Sequence, residues 1–245
     1  MSVPRAVWTL AVPTILSSLV MVLYNLADTY FVGMLNDPLQ NAAVTLAGPV
    51  LLAFNAINNL FGVGASSVMS RALGVKDHET VRRASAFGFY CALLSGLLFS
   101  LLVGLLNAPL LTLLGAKGDT LAPTAEYLRW TALYGAVPSI LNVVMAYLFR
   151  SEGATLHASI GTMSGCLLNI ILDPIFIYGF HWGMMGAAVA TVAAQLLSGL
   201  LCLRVIFSKY DVLRIHGDEW KPDRACLSRL SGIGLPMGLQ FSITA

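Results

Sequence analysis

The chain has 245 residues, 57% of them hydrophobic and 11% charged, with a mean hydropathy of +0.78 and a formal net charge of +2. Soluble domains carry roughly 25% charged residues, so this composition excludes an ordinary soluble enzyme and indicates an all-α integral membrane protein. The near-neutral balance gives no sign of a nucleic-acid partner.

The amino terminus, "MSVPRAVW", runs into a long apolar stretch without a small-residue cleavage site. A retained first helix is therefore expected, not a signal peptide. A bilayer core is crossed by about 20 apolar residues. Such stretches occur at roughly 7–33, 44–70, 85–107, 126–149, 158–179 and 184–207, and a further one opens near Cys226 and runs to Ala245. The intervening segments "NDPLQN", "GVKDHETVRR", "GAKGDTLAP", "RSEGATLH" and "GFHWG" carry turn and charge signals. The pattern predicts a six-helix transporter lobe at 1–207, an inter-lobe linker at 208–225, and the start of a seventh transmembrane helix at 226–245.

Basic residues set the orientation, because Lys and Arg collect on the cytoplasmic side. Arg5, Arg71, Lys76, Arg82, Arg83, Arg150, Arg204, the linker's Lys209, Arg214, Lys221 and Arg224, and Arg229 belong to one side, twelve of the 14 in the chain, leaving only Lys117 and Arg129 for the other. A cytoplasmic amino terminus and a multi-pass protein of the cell membrane are expected. Pro13 in "LAVPTILSSL" and Pro236 in "IGLPMGLQFS" open spans in matching context. Repeats of this kind are a transporter habit. Small residues recur every four positions in the third span (Gly88, Ala92, Gly96, Ser100, Gly104) and in the sixth (Gly186, Ala190, Ala194, Ser198). These stripes are expected to let helix backbones approach closely.

Of the 12 acidic residues, only Asp28 and Asp173 fall inside apolar stretches. A charged side chain at the centre of a membrane helix costs ~2.5–3.5 kcal/mol on insertion scales, so such residues are functional candidates by default. Each has a polar companion four residues earlier, Tyr24 before Asp28 and Asn169 before Asp173. That spacing puts both members of each pair on one helix face. Pro174 follows Asp173; lacking an N–H, it leaves the Ile170 carbonyl without its helical partner and predicts a kink. In the sixth span Thr191 and Gln195 are again four apart and complete a polar ring. The competing readings are structural: anchoring near the outer interface for Asp28 and for Tyr24, capping of a half-helix for Asp173, and a plain interhelical bond for Gln195.

Catalytic signatures are missing from the sequence. The four histidines show no metal-ligand spacing, and neither a Walker loop nor a Gly-x-Ser-x-Gly elbow occurs. The cysteines (Cys91, Cys166, Cys202, Cys226) show no close pairing, and the first three are expected as small core residues.

The run from Pro13 to "DTYFVG", "SRALG" after the second span, "FRSEG" after the fourth, "NIILDPIFI" in the fifth and "GMMGAAVATVAAQ" in the sixth together resemble the multidrug and toxic compound extrusion (MATE) transporters, in their DinF-like branch. The resemblance covers essentially the whole chain. It implies a fold of two six-helix lobes that exports amphipathic, often cationic compounds in exchange for H+ or Na+, with no cofactor. It further implies a polar cavity in the amino-terminal lobe at Tyr24, Asp28, Asn169, Asp173 and Thr191, with a cation site, Na+ being possible, among Asp28, Asn169, Asp173 and Thr191. Family members run to twice this length, so the second six-helix lobe is expected as a partner outside this chain.

A secondary antiporter for small organic cations is therefore the leading expectation, with Gln195 added to the substrate cavity. Two alternatives stand beside it. A flippase for lipid-linked precursors would need a cationic cavity, and no Lys or Arg lies deep in a span. A membrane assembly subunit without transport of its own is the other.

Overall fold

The computed structural model describes residues 3–209 together with Gly232, Gly234 and Pro236. The linker beyond Lys209 and the rest of the seventh span lie outside the described residues. The order is α1 (Val3–Gly33), α2 (Pro38–Gly74), α3 (His78–Leu105), α4 (Asn107–Leu113), α5 (Leu121–Leu128), α6 (Ala136–Ser151), α7 (Thr155–Pro174) and α8 (Met184–Lys209), with no strand among the described residues. A short 3₁₀ turn, Gly118–Thr120, precedes α5, and π-helical turns at Arg129–Tyr134 and Ile175–Gly179 follow α5 and α7. Five helices are long and apolar enough to cross a membrane, and a sixth span results when 118–134 and 136–151 are counted together. The protein is a multi-pass, all-α membrane protein.

Local chemistry explains the element boundaries. Asp37 caps α2, its Oδ1 accepting from the N–H groups of Leu39 (3.0 Å) and Gln40 (3.4 Å), with Pro38 at the first helical position. Asp77 caps α3 through Thr80 N–H at 3.0 Å. The Thr80 hydroxyl also donates to Asp77, and these bonds hold the Asp77 carboxyl below its ordinary range.

Two spans depart from simple rods. The fourth bends by 46° at Gly135, between the π turn and α6. Pro138 supplies no N–H to the Tyr134 carbonyl, so the helix is interrupted one turn upstream of it. The fifth span switches at Pro174 from α to π geometry and runs on to Gly179 as one span. The discontinuity expected at Pro174 thus takes the form of a widened turn, and the sharp bend lies in the fourth span. Between the third span and "GAKGDTLAP" the chain holds the short apolar helix α4, which buries Leu111.

The main core lies among α2, α3 and α6, with Met69, Val81, Val144, Leu148 and Phe149 essentially inaccessible. A smaller core at the other end joins Ala47, Val50, Val103, Leu111, Leu128 and Ala132. The small-residue stripes sit at helix crossings. A Cβ on Gly88 would overlap Ala65 of α2, and one on Gly96 would overlap Ile140 of α6. Between α7 and α8, Ser198 Oγ donates to the Gly161 carbonyl at 2.5 Å, and Gly165 faces Ser198. Helix α1 is seated differently: it packs on α7 and only marginally on α8.

Candidate functional site

Asp28 stands five residues before the end of α1, and Asp173 six residues before the end of the fifth span at Gly179. At 1.5 Å per residue both carboxyl groups lie roughly 8–9 Å from that end of their spans. They share one depth, in the half of the bundle opposite the basic loops. Asp173 is fully buried at 0% exposure and Asn169, one turn below it, is 2% exposed. Asp28 is half-buried and faces a cavity.

Hydrogen bonding fixes the Asn169 amide. With its nitrogen toward the carboxylate, it donates to Asp173 Oδ2 at 2.7 Å, and its oxygen accepts from the Thr191 hydroxyl (3.0 Å) and the Thr191 N–H (3.1 Å). The reverse orientation would set the amide oxygen against carboxylate oxygens, which repel it. Tyr24 and Thr191 line the same two cavities. Asp28 acts electrostatically on Asp173, Tyr24 and Tyr127. Side chains of α7 and α8 therefore form a hydrogen-bonded polar group, and Tyr24 and Asp28 of α1 share the cavity lining with its Thr191.

That group borders a cavity of about 450 Å³, lined by Tyr24, Asp28, Thr29, Asn55, Tyr127, Thr131, Ser139, Thr191 and Gln195 among apolar neighbours such as Leu51, Phe54 and Val192. A second cavity of about 240 Å³ continues toward the basic end and shares Tyr24, Thr191 and Gln195 with the first. Asn169 lines the second cavity, together with Met21, Asn142, Cys166 and Arg150. Ligand sites of this size, apolar with a few placed polar groups, are typical of small-molecule binding.

Tyr24, Asp28, Asn169, Asp173, Thr191 and Gln195, expected from the sequence, are all at this site, Asp173 behind its wall and not on it. Pro174 lies directly behind Asp173 at the α–π junction. Sequence reasoning missed the fourth-span contribution. Tyr127, Thr131, Gly135 and Ser139 recur every four residues and supply one cavity wall. The same spacing test that found the glycine stripes would have found them. Asn55 carries no comparable signal.

The oxygen set of two carboxylates, one amide and one hydroxyl suits a proton or a hard monovalent cation. Among the described residues no group of three or more His, Cys, Asp or Glu side chains is positioned to hold a metal ion. Cys166 and Cys202 are free thiols.

Comparison with known proteins gives a consistent result. Residues 13–175 match the MatE family model. The multidrug export protein MepA of Staphylococcus aureus (strain NCTC 8325 / PS 47) is 33% identical over 233 residues, covering 95% of this chain and 51% of its own. A crystal structure of MATE in complex with MaD3S superposes with a TM-score of 0.91 at 32% identity, covering 97% of this chain and 53% of that one. An outward-facing multidrug resistance MATE family transporter of the MOP superfamily superposes at 0.87, also at 32% identity, with 97% and 52% covered. The chain spans about half the length of the relatives it matches.

Proposed function

The chain belongs to the MatE family, and from that premise we propose that it forms the amino-terminal lobe of a secondary antiporter exporting amphipathic organic cations in exchange for H+ or Na+. The family is one of transporters, not enzymes, and needs no cofactor. Under this reading residues 1–207 form the lobe, 208–225 a cytoplasmic linker and 226–245 the beginning of a second lobe. The amino terminus faces the cytoplasm of a cell membrane, following the basic loops. A second six-helix lobe closes the open side of the cavity.

One observation carries the proposal: Asp28 lines a cavity large enough for a drug-sized ligand, and Asp173, on a different helix, is linked through the Asn169 amide to Thr191 on the wall of that cavity. Asp28 faces the cavity and attracts a cationic substrate. Asp173 lies behind it and acts on Asp28 through their mutual charge. An ion that neutralises the pair weakens the hold on the cation, so ion and substrate occupy the site in turn. Such a ligand shifts the transporter between states only through its different affinity for each.

The Asn169 amide bears on the identity of the ion. In this arrangement its N–H faces Asp173. A proton on the other carboxylate oxygen leaves that bond in place. A sodium ion bound by the amide oxygen requires the amide to turn over, exchanging its Asp173 and Thr191 contacts.

The test is export of a fluorescent organic cation from vesicles that contain the lobe with a complementing second lobe, under an imposed pH or Na+ gradient. Gradient-driven export should vanish in Asp28→Asn and in Asp173→Asn. Undiminished export by both variants would overturn the assignment.

A further inference from the structure

The fourth span carries two charges that the central cavity does not use. Glu126 and Arg129 stand three residues apart near its start, and both are exposed. About 20 residues of helix cross a bilayer core, and that length counted back from Arg150, in the last turn of α6, reaches Trp130. Glu126 and Arg129 therefore lie at head-group level, at the end of the bundle opposite the basic loops. Tyr127, Thr131, Gly135 and Ser139 of this span line the central cavity; Glu126, Arg129, Trp130 and Tyr134 do not. Together with Met185 of α8, these four line a separate recess of about 320 Å³.

Opposite charges at this spacing share one side of a helix, with roughly 5–6 Å between their Cβ atoms, and are placed to pair. Here they do not. Among the described residues the ion pair seen is Arg83 with Glu79. Arg129 turns instead to Tyr134, its guanidinium carbon 5.9 Å from the ring centroid and its Nη2 donating to the hydroxyl at a long 3.5 Å. Neither contact neutralises the charge. The Tyr134 ring rests in turn against Trp130, the centroids 5.2 Å apart. A carboxylate and a guanidinium thus border one recess, neither with a counter-ion among the described residues. Beside them is an aromatic pair of the kind that sits at membrane–water interfaces.

A lone cation gains at Glu126 and is repelled at Arg129, and a lone anion meets the reverse. A ligand with both charges on a short arm gains at each. The zwitterionic head of a phospholipid has that form, an ammonium joined to a phosphate through two carbons. Its acyl chains run into the bilayer that surrounds the span. We propose that the recess at Glu126 and Arg129 is a binding site for a phospholipid with an ammonium-bearing zwitterionic head. The carboxylate takes the ammonium, and the guanidinium fork takes the phosphate. The site is separate from the substrate cavity and does not rest on the export reading.

Trp130 borders the recess and reports on it. The 245-residue chain is prepared with Trp130 as its single tryptophan, Trp8, Trp182 and Trp220 being replaced by phenylalanine. It is reconstituted in bilayers of digalactosyldiacylglycerol, an uncharged lipid without phosphate. Dibrominated phosphatidylethanolamine or dibrominated phosphatidylglycerol is then added in steps, and quenching of Trp130 emission gives the binding of each relative to the host lipid. The ethanolamine lipid should be preferred over the glycerol lipid about threefold to fivefold, the scale of a partly solvated ion pair. Glu126→Gln removes both the partner of the ammonium and the charge that opposes an anionic head, so the preference should vanish or reverse. Arg129→Gln should weaken both lipids and leave the anionic one bound less well than the host. Equal quenching by the two lipids before any change at Glu126 or Arg129 would overturn the proposal, whether or not the variants fold. A preference that survives Glu126→Gln would overturn it as well. Absence of quenching by either lipid would show that protein, not lipid, closes the recess, with the same consequence. No gradient or transported compound is present, so the result stands apart from the test of export.

Discussion

Replacing Asp173 by Asn separates what the carboxylate does for the fold from what it does for transport. Asp173 is completely buried and accepts a hydrogen bond from the Asn169 amide at 2.7 Å. A hydrogen bond to a charged group contributes about 1.5–3 kcal/mol. Opposing it is the desolvation of the carboxylate, several kcal/mol after relaxation. Asparagine gives up the charge assistance but keeps an acceptor for the Asn169 amide and removes the desolvation cost. The two terms nearly cancel or favour the variant, so Asp173→Asn should unfold at or above the wild-type temperature. Asn169→Leu does the reverse: it leaves the buried carboxylate without its donor and should destabilise by about 1.5–3 kcal/mol. Thermal unfolding in detergent, followed with a thiol-reactive dye on Cys202 or by tryptophan emission, measures both. Ion-driven export measures the functional half, which Asp173→Asn should lose. An Asp173→Asn protein that melts well below wild type, or exports normally, would refute the reasoning. The first result would make the carboxylate structural; the second would remove it from coupling.

Other substitutions test separate parts of the structure. Gly88→Leu forces a side chain into Ala65 at the α2–α3 crossing and should cost about 1–3 kcal/mol, read as a lower unfolding temperature. Gln40→Ala removes the side chain whose Oε1 accepts from Met184 N–H at 2.8 Å and whose amide donates to Asp37 at 2.8 Å. It should lower stability by about 1 kcal/mol, and hydrogen exchange should rise first at the start of α8. Thr191→Val keeps the shape but deletes the hydroxyl that donates to Asn169. Export driven by a sodium gradient should fall about tenfold, the equivalent of one hydrogen bond, while proton-driven export should stay near wild type.

The spans were legible because bilayer burial imposes a strong, one-dimensional signal: a run of about 20 apolar residues with the cations gathered at one end. The polar group was legible because intramembrane acids are rare, so Asp28 and Asp173 stood out and drew in Tyr24 and Asn169 by helical spacing. The bend at Gly135 was less visible. "YGAVP" contains both the glycine and the proline that cause it, but the apolar run continues through them. The widened turn after Pro174 shows the limit of the rule that proline kinks a helix. A lost hydrogen bond must be accommodated, and sequence does not say whether by bending or by a wider turn. Arg150 was counted with the loop cations because it ends a span. Its access to the cavity depends on how α6 is rotated against α1 and α7, which only the packing determines.

The placement of the two carboxylates on unlike helices gives the site its mechanical sense. Asp173 belongs to α7, which is bound tightly to α8 where Gly161 and Gly165 meet Cys202 and Ser198. Those contacts are set by backbone proximity and leave little room for sliding. Asp28 belongs to α1, which packs on α7 and only marginally on α8. Few direct bonds tie α1 to α7. Tyr178 donates to the Phe31 carbonyl at 2.6 Å near the outer end, and Ser159 meets Ser17 at 3.5 Å further in. Under the proposed antiport, a change of charge at Asp28 and Asp173 would act across the interface of α1 with α7, which is as extensive as that of α7 with α8.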